Sequence, residues 1–143
     1  MAGQLRAELY RQGIGRSERA MREGFYIEAI AIQESVIADR LEYLLESVYG
    51  GRQFRSLGRL LSIVRSKIPE DQLDDELLRS VEEWSKRRNA AVHRMVKFSE
   101  FHDISWRQRL ADCRSAAFDG RRIMRETDAW VRRTRKRLNQ RVD

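Results

Sequence analysis

Arg88, Asn89 and His93 lie close together in the segment KRRNAAVHRM, residues 86–95. A guanidinium, an amide and an imidazole at this spacing can do acid–base chemistry on a phosphodiester. On a helix, residues four apart share a face, so Asn89 and His93 stand together and Arg88 sits one step around from Asn89. An imidazole titrates near neutrality and can take or give a proton there. A guanidinium keeps its charge and grips a phosphate with two parallel N–H groups. The amide can fix the imidazole tautomer or touch the phosphate itself. Cleaving RNA without a metal needs a base for the 2′-hydroxyl, a cation for the phosphorane and an acid for the leaving 5′ oxygen. One chain offers one such set and no evident second proton-transfer group. Two chains about a two-fold axis would offer two imidazoles and two guanidiniums.

The elements that must hold these residues are read from periodicity. The stretch 26–49 carries an apolar stripe of Ile30, Ile37, Leu41, Leu44 and Val48, and position 34 on that stripe is Glu34. The stretch 70–96 has acidic first turns and basic last turns, which suits the helix dipole. Its stripe is Leu77, Val81, Trp84, Val92 and Met95, and the member missing at position 88 is Arg88. Two core-facing stripes thus each carry one charge. A charge in that setting needs a counter-ion, and Glu34 and Arg88 are expected to pair. A shorter helix is expected over 15–24 with Ser17 as its N-cap, another over 56–68, and a long last helix from near Ser105 almost to the end. Breaks are expected at Gly13–Gly15, at Gly50 and Gly51, around Pro69 and over 99–105, with a weaker one at Gly24. In the last helix Trp106, Leu110, Cys113, Ala117, Met124, Val131 and Leu138 follow the spacing of a core stripe. Small Cys113, Ala117 and Gly120 would admit a close neighbour. The whole, residues 1–143, reads as one all-α domain, a bundle of four to five helices with a long C-terminal helix.

The 143 residues carry a formal charge of +7, and the excess is uneven. From Arg114 to Asp143 ten Lys and Arg stand against four Asp and Glu, a net of +6. The densest run holds Arg132, Arg133, Arg135, Lys136 and Arg137, either a solvated face or a surface for a phosphate backbone. Such a balance favours an anionic partner, nucleic acid before membrane. Cys113 is the single cysteine, which excludes an internal disulfide and a zinc site built on several cysteines. Two histidines without an HExxH pattern leave no expected metal site, and no cofactor loop is present: neither a Gly-rich phosphate loop nor GxSxG occurs. His102 beside Asp103 reads as local capping, and Asp39 with Arg40 as a surface pair. The start lacks an apolar targeting core and no long apolar run follows, so a cytoplasmic protein without a membrane span is expected.

The segment RNAAVH fits the Arg-x4–6-His motif of the HEPN domain family, with a polar residue directly after the arginine. The upstream AMREGFYIEAIAIQESVIADRLEYLL resembles that family's helix pair joined at a glycine, and the resemblance covers residues 5–135. It implies a helical bundle, commonly dimeric, and in many members a metal-independent endoribonuclease of toxin–antitoxin, phage-defence or CRISPR-linked systems. Carried over by position, Arg88, Asn89 and His93 form the catalytic group. Arg87 also fits the spacing but is followed by Arg88 and not by a polar uncharged residue. The implied partners are RNA, a second copy of the chain, and an antitoxin or effector-complex protein. Some members with a nucleotidyltransferase antitoxin have a tyrosine two residues after the histidine for AMP attachment. Met95 stands there in this chain, so the resemblance gives that control no support. Other members lack nuclease activity and bind RNA or a protein partner.

Overall fold

The computed structural model describes residues 2–49, 55–96 and 105–141, all of which fold without a strand. Five helices appear in order: α1 (Ala2–Glu23), α2 (Tyr26–Tyr49), α3 (Leu57–Lys67), α4 (Asp75–His93) and α5 (Trp106–Arg141). One 3-10 turn, Glu70–Gln72, separates α3 from α4. The described residues form an all-α fold whose last helix is long, as the periodicity requires.

The termini of these helices follow from local chemistry. The hydroxyl of Ser56 accepts from the Arg59 N–H, Asp74 accepts from the Leu77 N–H at 3.0 Å, and Ser105 accepts from the Gln108 N–H at 3.2 Å. Each cap satisfies one donor that the helix cannot satisfy itself and stabilises by about 1 kcal/mol. The expected helix over 70–96 therefore starts later: Pro69 leads into a separate 3-10 turn, and Asp74 caps α4.

α2 is the central helix, and its partners show how the bundle runs. Arg6 reaches Asp39 and Glu46 while Arg16 reaches Glu28, so α1 and α2 are antiparallel. Gln33 meets Ala117 and Arg40 meets Asp128, so α2 and α5 are parallel. Trp84 meets Ala116 and Arg141 meets Asp71, so α4 and α5 are antiparallel. Ile30, Ile37, Leu41, Leu44, Trp84, Met124 and Val131 are buried between them. Removing each such side chain from water stabilises by roughly 1.5–3 kcal/mol.

Two side-chain donors fasten α5 at its smallest residues. Trp84 Nε1 donates to the Ala116 carbonyl and Gln33 Nε2 to the Ala117 carbonyl, both at 2.8 Å. Gly120 permits this approach, because a Cβ there would collide with Gln33 Oε1 and lie 2.7 Å from the Trp84 ring. The small residues of α5 thus admit α2 and α4 of the same chain.

Several expectations are corrected. Gly13 and Gly15 do not break α1, which runs through both. Gly13 instead faces Val36 and Ile32 of α2, and the break falls at Gly24, whose φ is +81°. Ser17 is buried within α1 and is no N-cap. Val48, Trp106 and Leu110, expected on core stripes, are exposed. Arg40 is not at the surface: it is buried against the Tyr10 and Tyr43 rings, donating to Asp39 at 2.8 Å and to Asp128. The breaks expected at Gly50 and Gly51, and His102 with Asp103, lie outside the described residues.

Candidate active site

Arg88 stands on the α2-facing side of α4, in line with Val81 and Trp84. Its side chain is 20% exposed. Glu34 of α2 forms an ion pair with Arg88 Nη2, and Asn89 Oδ1 accepts from Nη1. The two charged exceptions on the two apolar stripes thus meet across the helix interface. A guanidinium has five N–H donors in a plane, so one donor on each Nη remains after these contacts. The pair sits at the rim of the core: Glu34 is 27% exposed and also lines an open cavity of about 620 Å³ between α2 and α3.

Arg87 points the other way, to Asp119 of α5, with which it forms an ion pair. That exposed contact joins α4 to α5 beside the candidate group. No sequence signal marked Asp119, which lies on no apolar stripe.

His93 is the last residue of α4 and is exposed. The helix ends there because Arg94 leaves helical geometry while its N–H still bonds the Ala90 carbonyl. Five residues of α-helix separate Arg88 from His93, about 7.5 Å of rise and about 140° of rotation. Arg88 therefore faces α2, whereas His93 and Asn89 face outward together. Asn89 accepts from the guanidinium through its carbonyl and occupies a position on the same helix face as the imidazole.

The basic run of α5 lies at the opposite end of the bundle. Met95, two residues after His93, touches Cys113 near the start of α5, while Arg141 pairs with Asp71 ahead of α4. Arg132 pairs with Asp128 at 3.1 Å. Arg135 is half-buried, donates to the Tyr43 carbonyl and lies 3.6 Å from the centre of the Tyr43 ring. Arg133, Lys136 and Arg137 are exposed and form no ion pair among the described residues. The structure thus brings Arg88, Asn89 and Glu34 together and does not bring the basic run to them within one chain.

Three or more His, Cys, Asp or Glu side chains do not cluster as a metal site anywhere among the described residues. No helix there is long and apolar enough to cross a membrane. Burial pushes the Cys113 thiol up, away from the reactive thiolate form. No protein-family model, curated protein or solved structure matches this chain.

Proposed function

We propose that this protein is a metal-independent endoribonuclease of HEPN type, working as a homodimer in the cytoplasm as a toxin or defence effector. The observation that carries the reading is Arg88: a guanidinium on an apolar stripe, oriented by Glu34 and Asn89 and retaining N–H donors for a phosphate. His93 is exposed on the face it shares with Asn89, open to a substrate or to a second copy. An imidazole takes the 2′-hydroxyl proton, the 2′ oxygen attacks phosphorus, and the bond to the 5′ oxygen breaks. The guanidinium stabilises the extra negative charge on the phosphorane. A second imidazole, from the partner copy, protonates the departing 5′ oxygen. The products are a 2′,3′-cyclic phosphate and a 5′-hydroxyl. Analysis of the ends left on a defined oligonucleotide tests this, and a 3′-hydroxyl product would exclude it.

A second reading is a non-catalytic HEPN-like module that binds RNA or a partner protein. It is favoured by the 140° or so between Arg88 and His93 on one helix, which aims the two side chains apart within a single chain. In that case the Glu34–Arg88 pair is a structural tie. The two readings separate on whether purified protein cuts RNA at all.

A further inference from the structure

We propose that the end of the bundle remote from His93 carries a second RNA-backbone site. It is a shallow, open depression of about 420 Å³ lined by Tyr43 of α2 and by Arg132, Arg135, Lys136, Asn139 and Gln140 of α5. The choice of RNA as the polyanion rests on the ribonuclease reading.

The lining holds three cations, two amides and a tyrosine, and no carboxylate. The cavities of about 620 and 440 Å³ beside α2 differ in this respect, since Asp39 lines both and Glu34 and Glu42 line the larger. Acidic groups close to the site are already engaged: Asp39 and Glu46 by Arg6, and Asp128 by Arg40 and Arg132. The wall is preformed. Arg6 and Arg40 approach the Tyr43 ring at 4.5 and 5.2 Å, and Arg135 lies against it at 3.6 Å. Positions 132, 136 and 140 form one row along α5 and 133 and 137 the adjacent row, so the exposed cations share a face. Their amide neighbours Asn139 and Gln140 are the side chains that donate to phosphate oxygens without reading sequence.

The location defines the substrate class. Met95 Sδ lies 3.6 Å from Cys113 Sγ, which places the His93 end of α4 near residue 113 of α5. From there to Lys136, at 1.5 Å per residue, the separation along α5 is roughly 35 Å. Stacked strand advances about 3.4 Å per nucleotide, so roughly ten nucleotides are needed to reach both sites. The substrate is a chain of at least that length, anchored by its backbone far from the cut.

Binding is measured on the 143-residue chain carrying His93→Ala, with fluorescent RNAs of three and roughly 20 nucleotides. The longer RNA should bind at least about tenfold tighter. Arg132→Gln and Lys136→Gln together should remove that advantage and reduce the salt slope by about 1.4, since each phosphate contact to a single strand contributes roughly 0.7. Lys136→Arg alone should bind as the parent does. Equal affinity for the two lengths, unchanged binding by the double variant, or binding to anionic lipid vesicles in place of RNA would overturn the proposal. Because the readout is binding by a chain without the imidazole, absence of cleavage in the wild type would sink the ribonuclease reading and leave this site standing.

Discussion

Arg88 of α4 and Glu34 of α2 form an ion pair across the helix interface, each at the position where its own helix's apolar stripe lacks a member. Neither charge is explained by its own helix, and each is explained by the other. The pair lies between the regimes of exposed pairs, which contribute about 0–1 kcal/mol, and buried ones, whose disruption costs about 3–5 kcal/mol. Glu34→Ala should therefore destabilise by about 1–3 kcal/mol. Denaturant unfolding of the two single variants and Glu34→Ala/Arg88→Ala gives the coupling energy. A value near zero would remove the pair from any positioning role.

Gly120 of α5 lies directly against Gln33 of α2 and Trp84 of α4. A methyl group there meets both Gln33 Oε1 and the Trp84 ring, and the ring is held by its bond to the Ala116 carbonyl. Overpacking of this kind costs about 1–3 kcal/mol. Gly120→Ala should lower the unfolding midpoint accordingly, although alanine is otherwise the better helix former. A variant as stable as the parent would show that α2 and α4 shift freely on α5.

Asp39 gives a signed pH dependence. Burial pushes its carboxyl up, but hydrogen bonds from Arg6 and Arg40 outweigh this and hold it below the usual carboxylate range. A carboxyl lowered on folding contributes stability that is present above its unfolded value, about 3.9, and lost as pH falls through the folded value. Acid unfolding of the parent should be steeper below about pH 4 than that of Asp39→Asn. Superimposable profiles would contradict the network seen around Arg6 and Arg40.

Much of this was legible in the chain, for physical reasons that differ by element. α2 and α4 announce themselves by apolar periodicity, and the charged exceptions on their stripes mark Glu34 and Arg88 as a pair. α1 was not legible, because Gly13 and Gly15 read as a break. Tertiary packing overrides their propensity: Gly13 abuts Val36 and Ile32, and the helix continues. Arg40 read as a surface residue because its second carboxylate, Asp128, is 88 positions away. The distance between the motif and the basic run was hidden for the same reason, since it depends on α4 and α5 being antiparallel. Gln33 and Trp84 gave no sign of bonding to backbone carbonyls of α5, as no spacing rule marks such a contact.

The proposed dimer makes a composition-dependent prediction. Chains with His93→Ala mixed with chains carrying Arg88→Ala form hybrid dimers with one intact motif. If one motif with the partner's contribution suffices, activity returns in the mixture and not in either variant alone. Light scattering that shows a monomer, together with full activity, would exclude a site shared between two copies.

The central claim is that Arg88 and His93 cut RNA without a metal. It is tested most directly by incubating purified protein with RNA in EDTA, alongside Arg88→Ala and His93→Ala. The account predicts cleavage by the wild type and a loss of about 10²–10⁴-fold in each variant, the contribution expected of a general acid–base group. Abolition by EDTA, or variants that cut at the wild-type rate, would contradict it.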